Sequence, residues 1–298
     1  MNRLSSDEIA LFSLVVEHGS FAAAATATGQ TPSAVSKAIT RLEDKLGVRL
    51  LERTTRRLSL TAEGETLLAH GEAILSAIEA AEAEVVAGRG KPRGRLRVSV
   101  GSAFAKYRLA PQLGLFSERY PDVALEVLST DRRVDLLAEG IDVAIRAGPL
   151  VDSSLIVRRL GEGPRVICAS PAYLERRGVP RSADDLARHN CLSISFSSQF
   201  AEWPIRVGGT VRRVPVGGTV ASDSAEVLRD LALSGLGIVR LLDFVVEDAL
   251  ADGRLVPLLE DVHVSEIVPL AVLMPPGRQR LPRVRAFIDF VAEHCRGG

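Results

Sequence analysis

Residues 20–46, SFAAAATATGQTPSAVSKAITRLEDKL, decide the fold of the first part of the chain. Thr31 can cap a helix, and Pro32 suits the first helical turn, where a backbone N–H would have no partner anyway. The apolar residues that follow recur with the period of one helix face: Val35, Ile39, Leu42 and Leu46. Gly47 is typical of a helix end. The stretch from Thr31 therefore predicts an amphipathic helix whose other face carries short polar and basic side chains.

A second, shorter helix is predicted just before it. Ser20 precedes an Ala-rich run from Phe21 to Thr28, which Gly29 ends. Two helices joined by a short Gly-containing turn are typical of a helix-turn-helix, whose second helix enters the major groove of DNA. An ordinary helical hairpin is the alternative on these residues alone.

The flanking residues predict the rest of the same domain. Residues 5–8 (SSDE) fit a capping box that starts a first helix, and Gly19 ends it. After Gly47, residues 48–53 and 58–60 read as two short strands around the basic turn 54–57. Together these elements predict a three-helix core with a β-wing.

Charge is unevenly distributed along the chain. The 298 residues have a formal net charge of zero. Between residues 31 and 60, however, seven basic residues stand against three acidic ones, which leaves +4 there and −4 elsewhere. A local basic surface on a neutral protein predicts one module that contacts phosphate.

A long helix is predicted from Ala62 to about Ala87. Apolar or small residues in steps of four and three form one seam along it: Leu67, Gly71, Ile74, Ile78, Ala81 and Val85. So extended a helix beside a small domain predicts dimerisation, and packing against its own domain is the alternative.

Residues 88–95 (GRGKPRGR) predict a linker, because three glycines and a proline in eight residues do not sustain a helix.

From Leu96 onward, strand and helix patterns alternate. The predicted strands include residues 96–100, 123–128, 142–146, 155–160, 166–169 and 267–273, and the predicted helices include 133–139 and 282–295. Repeated βαβ units predict a mostly parallel sheet with right-handed crossovers. About 200 residues of this kind predict two α/β lobes with ligands at the carboxyl ends of the strands.

These residues carry a family resemblance. Residues 20–64, SFAAAATATGQTPSAVSKAITRLEDKLGVRLLERTTRRLSLTAEG, resemble the winged helix-turn-helix of LysR-type transcriptional regulators. Four later segments resemble the effector-binding region of that family: LAPQLGLFSERYPDVALEV, LLAEGIDVAIRAG, CASPAYL and SGLGIV. The resemblance implies an N-terminal winged helix-turn-helix, a long linker helix and a two-lobed α/β effector domain like periplasmic binding proteins.

The resemblance also implies domain bounds. They are a DNA-binding domain at 1–61, a dimerising linker helix at 62–88, a hinge at 89–95 and an effector domain at 96–298. Lobe I would comprise 96–162 and 268–298, and lobe II 163–267. The partners implied are double-stranded operator DNA, a small-molecule effector and a second copy of the chain, with dimers of dimers common in the family.

Candidate DNA contacts follow from the second helix of the motif. Its N-terminal half would point at base edges, through Pro32, Ser33, Ser36 and Lys37. Lys37 can donate to guanine, and Ser36 to a base or a phosphate. Phosphate contacts are expected from Thr40, Arg41, Arg53 and Arg56. The family most often has glutamine at the position of Pro32, so the operator preference is expected to differ there.

Candidate effector contacts lie at strand ends. The resemblance implies ligand contact by the hydroxyls of Ser102 and Thr130 and by the strand around Ser195, and capping of their own turns is the alternative for the two hydroxyls. Helix N-terminal amides suit an effector carboxylate. The negative charge of Asp223 would repel such an effector, unless Asp223 acts only as a helix cap. Arg146 could offset Asp223 or serve as a structural ion-pair partner. A small carboxylate or aromatic metabolite is the expected effector.

Other function classes find less support. No nucleophile elbow, phosphate loop or metal-ligand spacing appears, and the five histidines are isolated, so no enzyme, cofactor or metal is predicted. A solute-binding protein would share the two lobes but not the DNA-binding head. The three cysteines (168, 191 and 295) read as buried structural thiols, and a redox-sensing pair is the alternative within the family.

Composition and termini bound the compartment. With 46% hydrophobic and 25% charged residues the chain has the composition of a globular protein. It lacks an apolar run of the roughly 18–20 residues that cross a bilayer. The N-terminus, MNRLSSDEIA, lacks a secretory apolar core, so the cytoplasm is the expected location.

Overall fold

The computed structural model describes residues 4–53, 58–85, 91–148, 154–195 and 198–295. The chain forms two compact units. The first comprises Met1–Pro92, Val134–Asp142 and Pro275–Arg285, and the second comprises Arg93–Arg133, Val143–Met274 and Ala286–Gly298. The domain bounds given above stay predictions.

The N-terminal elements follow the predicted winged helix-turn-helix. They are α1 (Ser6–His18), α2 (Phe21–Thr28), α3 (Pro32–Leu46), β1 (Leu51–Arg53), β2 (Leu58–Leu60) and α4 (Ala62–Val85). The side chains of Ser5, Ser20 and Thr31 cap the first three helices as expected. Each of these helices ends at a glycine in the left-handed region, where a Cβ would be strained: Gly19, Gly29 and Gly47. The wing strands pair antiparallel, and the predicted turn 54–57 lies outside the described residues.

One apolar core holds this unit's helices together. The predicted stripe of α3 is buried at Val35, Ile39 and Leu42, each at most 1% exposed. It packs with residues of α1 and α2 and with Leu50 and Leu51 at the wing. Burying one face of α3 in this way leaves the opposite face to solvent.

The first half of α4 packs on α1 of its own chain. A Cβ at Gly71 would lie 2.6 Å from Cγ2 of Ile9, so any larger residue there would have to displace the Ile9 side chain or the helix. The prediction that Gly71 lies on the seam of a coiled coil is therefore corrected, because its bare backbone serves contact with α1. Ile74 and Ile78, further along the same helix, are 44% and 38% exposed.

The chain from Gly94 onward contains eleven described strands. They are β3 (Gly94–Val100), β4 (Val123–Ser129), β5 (Val143–Ala147), β6 (Ile156–Ala169), β7 (Ser193–Ile194), β8 (Glu202–Val207), β9 (Thr210–Pro215), β10 (Ala221–Ser222), β11 (Val239–Leu242), β12 (Val256–Pro257) and β13 (Ile267–Met274). The α-helices are α5 (Ser102–Phe104), α6 (Leu113–Arg119), α7 (Pro171–Arg177), α8 (Ala225–Leu233), α9 (Asp243–Ala251) and α10 (Pro282–His294). A π-helical turn, Ala105–Leu109, follows α5.

A seven-stranded mixed sheet organises these elements. Its strand order is β11-β6-β13-β5-β3-β4, with β12 also on β6. In this sheet β3 pairs in parallel with β4 and β5, whereas the pairs formed by β13 and β6 are antiparallel. The expectation of a mostly parallel sheet was wrong, because β13 returns along β6 and β5 in the opposite direction.

Two local predictions are also corrected. Residues 155–160 and 166–169 belong to a single fourteen-residue strand, β6, which pairs along most of its length with β13. Residues 133–139 do not form a helix, and turn structure covers only residues 136–140. The side chain of Asp135 caps this segment, because its Oδ1 accepts the N–H groups of Leu137 and Ala138 at 3.0 and 3.1 Å. Gly140, in the left-handed region at φ 62°, ends the segment after a single turn.

The hairpin of β8 and β9 covers one part of this sheet. Its Trp203 and Ile205 are fully buried against Ile167 and Ala169 of β6. The strand β8 and the helix α9 were not predicted from the sequence. Among the described residues there is no helix long and apolar enough to span a membrane, and no cluster of three metal-binding side chains.

Candidate DNA-binding and effector sites

The exposed face of α3 carries the predicted base-reading residues. Pro32, Ser33 and Lys37 are exposed, and Ser36 is partly buried. Ser36, Lys37 and Arg41 line one shallow surface depression together with Gln30, Ala34, Ala38 and Thr40. Within the described ranges neither Lys37 nor Arg41 has an acidic partner within ion-pair distance, so both charges face solvent. A polar, cationic and shallow surface on a helix suits a DNA groove.

Two predicted contacts already have partners inside α3 or at its cap. Thr40 donates its hydroxyl proton to the backbone oxygen of Ser36, at 3.0 Å. Thr31 and Ser33 place their hydroxyl oxygens 3.2 Å apart beside the helix start. A phosphate would therefore compete with, or add to, these bonds at Thr40. The side chains of Arg53 and Arg56 lie outside the described residues.

Part of the positive charge counted from the sequence is neutralised by ion pairs within the N-terminal winged helix-turn-helix (called the head below). Lys45 pairs with Glu8 at 2.8 Å and is only 12% exposed, and Arg49 pairs with Glu43 at 2.9 Å. The hydrogen bond from Lys45, together with the N–H of Ser5, lowers the pKa of Glu8. Of the seven basic residues, Lys37 and Arg41 are the two whose described side chains remain unpaired toward solvent.

Glu43 joins α3, the second helix of the helix-turn-helix and called the recognition helix below, to the wing. Its side chain is 2% exposed, and Oε1 accepts the N–H groups of Leu50 and Leu51 at 2.9 and 3.2 Å. Its other oxygen accepts a bond from Arg49. Burial by itself raises the pKa of Glu43, but the two amides and Arg49 outweigh it and lower the pKa. The carboxylate therefore ties the start of β1 to α3.

Three of the five candidate effector residues meet in one cavity of the second unit. Ser102, Thr130 and Asp223 line a cavity of about 340 Å³ at the carboxyl ends of β3 and β4 and before α8. The other lining residues are Ser129, Asp131, Arg132 and Ser224. Arg146 and Ser195 do not line it. The N–H of Ser195 donates to the backbone oxygen of Ser222 instead, at 2.9 Å.

Asp131 is one of the four residues of this cavity that were not among the candidate effector contacts named from the sequence. Its Oδ1 accepts the N–H of Ser102 at 3.1 Å, and a Cβ at Gly101 would lie 3.0 Å from the same oxygen. The carboxylate thus occupies the backbone N–H of Ser102, whose hydroxyl is a predicted effector contact. Its position directly after Thr130, at the end of a strand, was the signal available in the sequence.

Arg146 has a structural role in this arrangement. Its Nη1 donates to the backbone oxygens of Ser99 and Ile145, both at 2.9 Å, and its Nη2 donates to Oγ of Ser99 at 2.6 Å. Burial lowers the pKa of Arg146, and the charge of Asp131 partly opposes that effect. The sequence left two roles open for Arg146, offsetting the charge of Asp223 and forming a structural ion pair. Neither fits fully, because the guanidinium donates to neutral oxygens and not to a carboxylate.

The cysteines are chemically shielded. Cys168 and Cys191 are fully buried, and Cys295 is 1% exposed. Burial raises the pKa of Cys168 and Cys191 to about 12, and that of Cys295 to about 11. A thiol reacts with oxidants as thiolate, so these side chains are poor redox sensors in this conformation.

Comparison with known proteins agrees with this architecture. Residues 6–65 match the model of the bacterial regulatory helix-turn-helix protein, lysR family, and residues 89–296 match the LysR substrate binding domain. The chain is 38% identical over 291 residues to the HTH-type transcriptional regulator CrgA of Neisseria meningitidis, covering 98% of this chain and 97% of that protein.

Solved structures give the same picture. The structure of CrgA from Neisseria meningitidis has a TM-score of 0.66 at 37% identity and covers 98% of this chain and 99% of its own. The full-length Vibrio cholerae virulence activator AphB has a TM-score of 0.61 at 31% identity, covering 98% and 100%. The relatives are named as transcriptional regulators, not enzymes. With both of its parts matched over nearly the whole length, the chain belongs to the LysR family of DNA-binding transcriptional regulators.

Proposed function

We propose that the chain reads its operator through the exposed face of α3. Lys37 donates to a guanine edge, and Pro32, Ser33 and Ser36 lie against neighbouring bases. Thr40, Arg41, Arg53 and Arg56 contact phosphates and set the register. The observation that carries this assignment is the pair of solvent-facing cations, Lys37 and Arg41, on the side of α3 opposite its buried stripe.

Binding measurements on two variants test the assignment. Lys37→Ala should weaken operator binding by roughly 1–3 kcal/mol and relax discrimination at one base pair. Arg41→Ala should weaken binding to all sequences alike and reduce the salt dependence by about one charge. Lys91→Ala, an exposed lysine outside α3, is the control. Equal affinities for Lys37→Ala and the control at one salt concentration would contradict the base-reading role.

The proposal includes assembly through the linker helix. Ile74 and Ile78 lie four residues apart, and both are largely exposed within this chain. A second copy of α4 would cover them, so that two recognition helices reach the half-sites of a dyad, and dimers of dimers would extend the contact.

Sedimentation tests this assembly. Ile78→Glu should shift the chain toward monomer, because it places a charge in an apolar seam. Ala77→Glu is the control and should not shift it, because Ala77 is exposed and lies off the seam. An Ile78→Glu variant with unchanged mass in solution would exclude α4 as the dimer contact.

We also propose that the cavity at Ser102, Thr130 and Asp223 binds the effector, a small carboxylate or aromatic metabolite. The regulator would act in the cytoplasm. Hydroxyls of Ser102, Ser129 and Thr130 supply the polar contacts. Asp131 holds the Ser102 amide, so an effector carboxylate must find its donors elsewhere. Binding favours one arrangement of the assembled protein on DNA, which requires unequal affinity for the two states.

A thermal-shift screen of small carboxylates and aromatics on the full chain tests the sensing role. An effector at 100 times its Kd should add about 2.7 kcal/mol to the free energy of unfolding. Thr130→Val should abolish that stabilisation if its hydroxyl contacts the ligand. A stabilising compound that leaves the DNA footprint and bend unchanged would contradict the coupling.

A further inference from the structure

A second charged cluster involves the β8–β9 hairpin, and none of its members lines the effector cavity. It is formed by Arg165 of β6, Arg213 of β9, Arg240 of β11, His263 and Glu266. The backbone of Ile205 on the hairpin forms a β-bridge with His263, which ties the hairpin to the cluster. The cluster is therefore part of the fold and not a loose surface feature.

The single carboxylate of the cluster is fully committed. Glu266 accepts a bond from Arg213 on Oε1, at 2.8 Å, and one from Arg240 on Oε2, at 2.9 Å. Arg240 is 3% exposed at its side chain and also donates from Nε to Nε2 of His263, at 3.0 Å. Burial and the nearby Arg240 lower the pKa of His263 to about 4, so this imidazole is neutral. The cluster thus sets three guanidinium groups against one carboxylate, which bonds Arg213 and Arg240.

Arg165 is the member without an acceptor. Its guanidinium carbon lies 4.8 Å from the ring centre of Phe200, and in the described part of the chain no carboxylate lies within ion-pair distance of it. Burial, followed by the charge of Arg240, lowers the pKa of Arg165 to about 10, and the charge of Glu266, which bonds the other two arginines, only partly opposes this. A partly buried cation next to further cations is unfavourable unless an anion accompanies it.

We propose that Arg165, backed by Arg240 and flanked by Phe200, binds a small oxyanion, either a carboxylate or a phosphate. The ring of Phe200, 4.8 Å from the guanidinium carbon, forms an aromatic wall beside Arg165. The N–H donors of a guanidinium present the fork geometry that pairs two oxygens of one anion. A bound anion would also lower the repulsion between Arg165 and Arg240. The inference stands on this cluster alone and does not depend on the proposed operator contacts.

The only tryptophan of the chain makes the site measurable. Nε1 of Trp203 donates to the backbone oxygen of Phe200, at 3.2 Å, so an anion bound against Phe200 should change the emission of Trp203. Sodium acetate, sodium benzoate and sodium phosphate are titrated separately into the full chain without DNA, at constant ionic strength set with sodium chloride. We expect a saturable change with at least one of them, and the compound that binds distinguishes a carboxylate site from a phosphate site.

Variants assign the response to Arg165. Arg165→Gln should weaken the affinity by roughly tenfold or more, since a charge-assisted hydrogen bond is lost. Arg165→Lys, which keeps the charge without the fork, should weaken it less. Arg212→Gln, at an exposed position next to Arg213, should leave it unchanged. The proposal is overturned if the wild-type chain shows no saturable response to any of the three anions, a result independent of whether variants fold. An unchanged affinity in folded Arg165→Gln overturns it as well.

Discussion

Replacing Glu43 by alanine would test how the recognition helix is held against the wing. The substitution removes the acceptor of two buried N–H groups, those of Leu50 and Leu51. Each buried donor left without a partner costs about 1–3 kcal/mol, so the free energy of unfolding of the head should fall by about 2–6 kcal/mol. Whole domains are stable by only about 5–15 kcal/mol, so this loss is a large part of the total and should raise the unfolded fraction of the head and weaken operator binding.

Two further variants separate the carboxylate's contributions. Glu43→Gln retains one acceptor oxygen but loses the charge shared with Arg49, so we expect a loss of about 1 kcal/mol. Asp44→Ala removes the neighbouring exposed acid and should change the stability by less than about 0.5 kcal/mol. Urea unfolding followed by far-UV circular dichroism measures all three. The fluorescence of Trp203, in the second unit, provides an internal control that should not shift.

The pH dependence gives the sign of the charge effect. The folded-state pKa of Glu43 lies below its ordinary value, so its ionised form is the stabilising one. This contribution is complete above the unfolded pKa, near 4.5, and is lost as the pH falls through the folded pKa. The stability difference between wild type and Glu43→Gln should therefore shrink in acid. A Glu43→Ala variant no less stable than Asp44→Ala would refute the reasoning.

Two other outcomes are expected. Gly71→Ala should lower the free energy of unfolding by about 1–3 kcal/mol, although alanine ordinarily favours a helix by about 1 kcal/mol, because its Cβ would lie 2.6 Å from Cγ2 of Ile9. Urea unfolding measures this, and the loss should be smaller in an Ile9→Ala background. The three cysteines should resist a thiol-specific disulfide reagent at about pH 8 until denaturant is added, because burial keeps them protonated. Rapid labelling of the native chain would restore the redox-sensing alternative.

The candidate sites were predictable to different degrees. The predicted DNA contacts of α3 lie on its exposed side, because helix period and capping decide which side of that helix is buried, and Lys37 then falls on the other side. For the effector residues, strand ends indicated Ser102, Thr130 and Asp223, which do meet in one cavity. Arg146 and Ser195 do not line that cavity, and their contact with an effector stays a prediction, since a strand position does not reveal which neighbour a side chain will bind.

The sequence by itself determined the helices, caps and glycine stops of the head, since these depend on residues within a few positions of one another. Only the tertiary structure decided how the local positive charge is used. Lys45 meets Glu8 across 37 positions of sequence, and Gly71 meets Ile9 across a longer separation still. Only the tertiary structure likewise reversed the expected strand direction and gathered Arg165, Arg240 and Glu266, which three separate strands or loops contribute. Pairings between distant segments depend on how whole elements pack, and local patterns carry no record of that packing.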